Sequence, residues 1–436
     1  MRRPASTPSA TPEPAAIRVA RLGAEGDGIG ALADGAPAYV PLTLPGELVR
    51  ARPVARRGDG WAAALEGVLE PSPDRAAPAC PHFGACGGCV AQHTSDAAYL
   101  GWKSAQITAA LRRAGFADPA LPPPVRVAPG ARRRMDLAIR RVGDRWQVGL
   151  HRPRSGEVVD LDLCPVLHPA LTALIAPLRG LVLGGVRREG SAVANLLDNG
   201  PDLLLRTDAP LTLADRVALT AFARAHGLSR VSWALRDATP EPVCVLRAPE
   251  ITLSGVAVSP PPGAFLQAAG PAEAAITAAV LAGLPERLPA RARITELYAG
   301  CGTLTFALAQ RAKVRAWEGD PATLTALATA ARRAGLAGRV EALPRDLARQ
   351  PLSAAELAES AAVVLDPPHA GAPAQMAGIA AARVPRVIYV SCNPAALSRD
   401  ARPLAAAGYL VERVTLVDQF LWSARIESVS VFSCGG

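Results

Sequence analysis

Lysine is nearly absent. Only two of the 47 basic residues in this 436-residue chain are lysines, Lys103 and Lys313, so the formal net charge of +9 rests on arginine. In a chain also rich in Ala, Gly and Pro, that balance matches a GC-rich coding bias, and the charge permits RNA binding without demonstrating it. Long apolar runs are missing as well. The best candidate, around "LTALIAPLRGLVLGG", is broken by Arg179, which leaves nothing of bilayer-spanning length and no membrane partner expected. The first residues, "MRRPASTPSATPEPAA", lack the apolar stretch of a secretory signal. Residues 1–14 are therefore expected to be a disordered tail of a cytoplasmic protein. There is no internal repeat, and no obligate protein partner is inferred. Eight cysteines at uneven spacing, without a secretion signal, suit metal or catalytic thiols better than disulfides.

What is present divides along the chain. Residues 15–71 carry short β-compatible runs between Gly and Pro turns, the pattern of a small β-barrel. A cysteine- and glycine-rich loop follows over 72–92. A mixed α+β region runs from 93 to 258, with a helix at 95–114, strands near 135–150 and a helix near 212–226. From 259 to 436 the strands alternate with helices, predicting a doubly wound α/β domain. The exception is the end, where "YLVERVTLVDQF" and "ARIESVSVFS" have no helix between them and predict a terminal antiparallel hairpin.

The chemistry lies at predicted strand ends. "ELYAGCGTLTF" places Gly300 and Gly302 between a strand and its helix, a turn that lets a nucleotide-like ligand approach backbone N–H groups. Small residues in such a turn are as often mere packing. Glu318, 16 residues beyond Gly302, ends the next strand, where an acid grips ribose hydroxyls. Asp346 follows the third strand. No basic set stands nearby for a pyrophosphate, which favours S-adenosylmethionine over NAD.

"VVLDPPHAGA" puts Asp366 at the end of the fourth strand, a place where an Asp otherwise serves as a helix N-cap. "RVIYVSCNP" puts Cys392 at the end of the fifth. An arbitrary cysteine is usually just buried, but the carboxyl edge of an α/β sheet is where such enzymes keep their chemistry. A thiol beside a methyl donor has a specific use, because carbon 5 of uracil is a poor nucleophile until a thiolate adds to carbon 6. A base must then take the carbon 5 proton, and Glu427 in "SARIESVSVFS" is the candidate; alone it would be an exposed strand carboxylate.

These motifs together resemble the RNA 5-methyluridine methyltransferase family. "YVSCNPAALSRD" matches its nucleophile segment, "VDQFLWSARIES" its base segment, and "LDPPHAGA" its Asp-Pro-Pro-Arg segment with His369 in place of Arg. "ELYAGCGTLTFALA" matches the donor loop with Tyr298 at the aromatic position, and "GAFLQAAG" a segment whose Gln, here Gln267, binds the donor. Ala269 stands where the family has Asn, and Arg425 where it has His. The resemblance implies Cys392 as nucleophile, Glu427 as base, Asp366 shaping the uracil pocket, and Gln267, Tyr298, Glu318 and Asp346 holding the donor. It likens residues 15–71 to the OB-like TRAM RNA-binding domain. That domain leans the substrate toward 23S ribosomal RNA, with transfer RNA, or a catalytically silent RNA-binding or ribosome-assembly role, as alternatives.

"CPHFGACGGC" supplies Cys80, Cys86 and Cys89, and "DLCPVLHP" supplies Cys164. Spacing alone leaves zinc and a four-iron cluster open; the resemblance implies a [4Fe-4S] cluster on these four thiols. "ARRRMDLAIRR" (131–141) and "HRPRSG" (151–156), both ahead of Cys164, are candidates for RNA phosphates or merely solvated strand ends.

Overall fold

A computed structural model describes residues 13–435 except 118, 120 and 182. The expected tail over 1–14 lies almost wholly outside the described residues. Two compact units are present. The first takes the residues up to Lys103 together with Trp422–Ala424; the second takes Ser104–Leu421 and Arg425–Gly436. The boundary expected at 258/259 does not separate compact units. Its two sides are joined by hydrogen bonds such as Arg133 N–H to the Ala268 carbonyl and Asn195 Nδ2 to the Ala264 carbonyl, at 2.8 and 2.9 Å.

In the first unit, residues 15–70 form a six-stranded sheet around Ile17, Val19, Val40, Val49 and Trp61. Alternation along Leu48–Arg57 sends Val49 and Ala51 inward and the intervening arginines outward. The segment after the sheet is pinned: Arg75 holds the buried Glu47 carboxylate through Nε and Nη2 at 2.5 and 2.8 Å. That pair, with the Leu44 and Ser72 N–H groups, holds Glu47 below the usual carboxylate range against its burial.

The second unit contains a seven-stranded sheet built from 134–245 and an eight-stranded one that carries the candidate site. The strands of the latter are β1 (Arg293–Leu297), β2 (Lys313–Glu318), β3 (Val340–Pro344), β4 (Ser360–Leu365), β5 (Arg386–Ser391), β6 (Tyr409–Asp418) and β7 (Glu427–Cys434). Their order is β3-β2-β1-β4-β5-β7-β6, followed by a two-residue strand, Val125–Arg126, that the sequence did not betray. β1 to β5 are parallel, and β7 runs antiparallel to both β5 and β6. The last strand is thus inserted between β5 and β6. Val364, Ile388 and Val390 enter one core with Ile276 and Val280 of the helix Gly270–Gly283. Val363, Leu365, Val387 and Tyr389 enter the other with Ile379, Leu397 and Leu404. Burial on both faces explains why these strands read as continuous apolar runs, and each such side chain is worth about 1.5–3 kcal/mol.

After β5 come two short helices, Pro394–Asp400 and Arg402–Ala406. Pro403 has no N–H for the ladder and clashes with the preceding turn, so one continuous helix is excluded. The helix after β1 is short, Thr305–Ala309. Among the described residues no helix is long and apolar enough to cross a membrane.

Candidate active site

The first group of residues surrounds the turn after β1. Gly300 and Gly302 lie in the left-handed region, with φ of +57° and +99°. A Cβ on Gly300 would meet nothing within 4 Å, so this turn faces open space, whereas one on Gly302 would strike the Phe306 ring at 2.5 Å. Tyr298 also has positive φ, 63°. Burial, then the charges of Asp400, Asp346 and Glu318, pushes its hydroxyl up to about 12. Glu318, at the end of β2, accepts three backbone N–H groups, from Gly300 at 2.9 Å, Gly319 at 2.7 Å and Asp320 at 2.8 Å. Its carboxylate is therefore fixed at the mouth of the glycine turn. Asp346 lies beyond β3, exposed, and caps a turn by accepting the Ala348 and Arg349 N–H groups. Glu296, on β1, was not expected from the sequence: it is buried, and burial pushes its carboxyl up to about 8, with Thr305 as a partner and the Asp366 and Glu318 charges adding to the rise.

The second group lies at the ends of β4, β5 and β6 and the start of β7. The antiparallel register pairs Ser391 with Ser428, so the next step along each strand sets Cys392 beside Glu427. The same register pairs Val417 of β6 with Glu427. Asp366 follows β4, and its Oδ2 accepts Gln267 Nε2 at 2.8 Å. Gln267 Oε1 accepts Gln419 Nε2 at 2.9 Å, and the same nitrogen donates to Glu427 Oε2 at 2.7 Å. Four residues between 99 and 152 positions apart in two of these contacts thus form one hydrogen-bonded chain. The sequence motif put Gln267 with the donor group; its side chain is found here, bonded to Asp366 and Gln419. Gln419 itself went unnoticed, since a polar residue ending an apolar strand gives no sign of burial.

Electrostatics mark this group as strained by charge. Burial pushes Asp366 up to about 7, partly opposed by the Gln267 hydrogen bond. Glu427 is raised well above the carboxylate range by burial and then by Asp366, again opposed by its amide partner. Cys392, half-buried, is pushed up to about 11 by burial and by the Glu427 and Asp366 charges, while Arg425 draws it down. Cys301 differs: it is 1% exposed and pushed up to about 12.

The segment around Cys392 is held from several sides. Ser391 Oγ accepts the Asn393 N–H at 3.2 Å, and Asn393 caps the next helix by accepting the Ala395 N–H at 3.0 Å. Asn393 Nδ2 donates to the His369 carbonyl at 2.9 Å, so that contact uses the backbone of residue 369 and is indifferent to His replacing Arg. Asp400 accepts the Tyr389 hydroxyl of β5 at 2.7 Å and the Ala372 N–H at 2.6 Å, which ties the helix after Cys392 to the loop after Asp366. Ala269 is the N-cap of Gly270–Gly283 and, lacking the family's Asn side chain, supplies no side-chain cap.

Cys80, Cys86 and Cys89 are partly buried in the first unit, where Cys86 Sγ accepts the Gly88 N–H at 3.4 Å; Cys164 is partly buried in the second. Among the described residues no group of three or more His, Cys, Asp and Glu side chains is arranged to hold a metal ion. Of the arginines expected to meet phosphates, Arg133 is committed to Glu273 and the Gln267 carbonyl, and Arg152 to Glu157. Arg132 is lowered by burial and then by neighbouring Arg134 and, further down, Arg425.

Comparison with known proteins agrees with this geometry. A model of the tRNA (Uracil-5-)-methyltransferase family matches residues 347–433, which include Asp366, Cys392, Gln419 and Glu427. An RNA methyltransferase of Caulobacter vibrioides, itself uncharacterized, is 38% identical over 426 residues, covering 96% of this chain and 99% of its own. The 23S rRNA (uracil(1939)-C(5))-methyltransferase of Aeromonas salmonicida is 34% identical over 402 residues, covering 90% of this chain and 91% of its own. The crystal structure of Pyrococcus abyssi tRNA (uracil-54, C5)-methyltransferase in complex with S-adenosyl-L-homocysteine shares the fold, with a TM-score of 0.71 at 18% identity over 96% of this chain and 100% of that one. The chain is an enzyme of the RNA (uracil-5-)-methyltransferase family.

Proposed function

We propose that this enzyme methylates carbon 5 of a uridine in 23S ribosomal RNA, with Cys392 as nucleophile, Glu427 as base and S-adenosylmethionine as donor. The observation that carries the proposal is the β5–β7 register, which sets Cys392 beside Glu427 at the sheet edge occupied by Asp366.

The glycine turn fits the donor. Open space in front of Gly300 leaves room for a nucleoside against the backbone, and Glu318 is fixed where ribose hydroxyls would be accepted. When bound, S-adenosylmethionine supplies an electrophilic methyl group. Gln267, expected to hold the donor, is bonded to Asp366, so with Asp366 it would also meet the polar edge of the uracil ring.

Burial pushes the Cys392 thiol up, so its proton passes to solvent as the sulfur bonds to carbon 6 and the C5=C6 π bond breaks. That addition moves the ring electrons onto carbon 5 and oxygen 4, and Asp366, held near neutrality, is suited to exchange a proton with that edge. Carbon 5 then takes the methyl group. Glu427 removes the remaining carbon 5 hydrogen as a proton, the C5=C6 bond re-forms, and the sulfur–carbon 6 bond breaks. A base raised by burial holds that proton well.

Ribosomal RNA is favoured by the Aeromonas relative, which aligns along 90% of this chain. The tRNA-family match covers only 347–433, the catalytic segment. The barrel-like sheet at 15–70 is read as an added RNA-binding domain. Site-mapped methylation of purified ribosomal and transfer RNAs tests the substrate: label in one 23S uridine is expected, label in transfer RNA alone overturns it, and label in neither overturns the activity.

A [4Fe-4S] cluster on Cys80, Cys86, Cys89 and Cys164 is part of the proposal. It is supported by the family resemblance and the N–H···S contact at Cys86, although among the described residues no preassembled group of three or more metal-ligating side chains is present. No catalytic step is routed through it. Anaerobically purified protein is expected to contain iron and sulfide, with loss of both in Cys164→Ala as in Cys89→Ala. Stoichiometric zinc without iron would overturn the assignment.

A further inference from the structure

Gln419 is 2% exposed and every hydrogen-bonding position of its amide nearest the site is used. Its Oε1 accepts the Ala268 N–H at 3.0 Å, and its Nε2 donates to Gln267 Oε1 at 2.9 Å and Glu427 Oε2 at 2.7 Å. A backbone N–H can only donate. Oε1 must therefore face residue 268, and the flipped amide, which would set two N–H groups against that donor, is excluded. Both N–H groups of Gln419 are then directed at Gln267 and Glu427. Because Gln267 Oε1 is taken as an acceptor, its own Nε2 is left for Asp366. One backbone N–H thus sets the polarity of the whole chain, with a donor presented to a carboxyl group at each end.

We propose that Gln419 is a positioning residue that aims Glu427 at the carbon 5 proton and favours its carboxylate form, an inference that rests on the uracil-C5 reading above. Three charged or titratable groups stand around Glu427. Asp366, from the end of β4, opposes its ionisation; Cys392, after β5, faces it; and Arg425, before β7, faces the thiol. Against burial and Asp366, the Gln419 N–H is the side-chain donor that favours the carboxylate, since a hydrogen bond to the charged form stabilises that form. The Ala268 N–H fixes the amide from the Gln267 side, so the base is oriented by the same segment that orients Asp366. Gln419 touches neither substrate nor donor in this role; it acts through Glu427 and Gln267.

The test is the pH dependence of adduct release in single turnovers with a 23S RNA fragment, comparing the wild type with Gln419→Met, which keeps the length and removes the donors. Methyl transfer to carbon 5 is followed separately. Without the donor, Glu427 is protonated to a higher pH, and a base works only above its pKa. The ascending limb of release is therefore expected to move up by about one pH unit, making release about tenfold slower below it, with recovery at high pH. Methyl transfer is expected to change little. A release profile superimposed on the wild type, or an equal loss at every pH, would overturn the positioning role. If Gln419→Met does not fold, Gln419→Glu serves in its place: it retains an acceptor for Ala268 N–H, offers Glu427 no N–H when ionised, and is expected to shift the limb further. Failure of the wild type to methylate uracil at all would instead overturn the underlying reading, and that result is scored by the transfer step alone.

Discussion

The two sides of the crevice are built differently. On the side of the glycine turn, Glu318 is satisfied by three backbone N–H groups, two of them from its immediate successors. On the other side, Asp366, Gln267, Gln419 and Glu427 satisfy one another through side chains brought from four separate segments. A local, backbone-held carboxylate is fixed before any ligand arrives. A long-range chain of amides between two raised carboxyl groups is poised to exchange protons. The first arrangement suits binding and the second suits chemistry, and the variants below separate them.

The largest effect is expected from the nucleophile. Cys392→Ala is expected to lower turnover by about 10⁴-fold or more, the scale seen when a covalent catalyst is removed, while donor binding measured by calorimetry stays intact. Cys301→Ala, in the donor turn, is expected to stay within a few-fold of wild type, because that thiol is buried and pushed up to about 12. Comparable loss in both variants would erase the distinction between the two sides.

Next comes the base. Glu427→Gln retains the shape, and loss of one acid–base group costs about 10²–10⁴-fold in turnover. Methyl transfer precedes proton removal, so this variant is expected to accumulate a methylated protein–RNA adduct, seen as a band shift in denaturing gels. Glu318→Gln is expected to behave in the opposite way. It would raise the KM for the donor by about ten- to a hundredfold, as for a lost hydrogen bond to a charged group of about 1.5–3 kcal/mol, and leave no adduct.

The smallest effect is on stability. Asp366 is pushed up to about 7 in the folded chain, above the ordinary 3.8. From about pH 4 to 7 the unfolded chain releases this proton while the folded chain keeps it, so its contribution to stability falls as pH rises through that window. Asp366→Asn removes the titration. Thermal unfolding of the variant is expected to gain on the wild type between pH 4 and 8, and parallel pH profiles for the two would show that this carboxyl is not held up by the fold.

The contrast between the two sides also explains what the sequence disclosed. Alternating apolar runs and glycine turns revealed β1 to β5 and the donor turn, because each feature is local. Asp366, Cys392 and Glu427 were legible as strand-end residues of the right chemistry. Their proximity was not: it follows from β7 inserting antiparallel beside β5, a register that no short window of sequence states. The hydrogen bonds of Gln267 to Asp366 and Gln419 were not legible, since those partners lie 99 and 152 positions away. Gln419 and Glu296 were missed because burial of a polar side chain is a tertiary property. The break before Pro403 was readable in hindsight from the proline itself. The hydrogen bonds that cross the 258/259 boundary were not legible, because a change of pattern does not reveal them.

The central claim is a covalent bond between Cys392 and uracil. Its most direct measurement is peptide mapping by mass spectrometry of the adduct trapped by Glu427→Gln on RNA in the presence of S-adenosylmethionine. The expected result is a peptide containing Cys392 that carries one uridine nucleotide and one added methyl group, and no such species in the double variant that also has Cys392→Ala. Attachment to any other residue, or near-wild-type turnover by Glu427→Gln with no adduct, would contradict it.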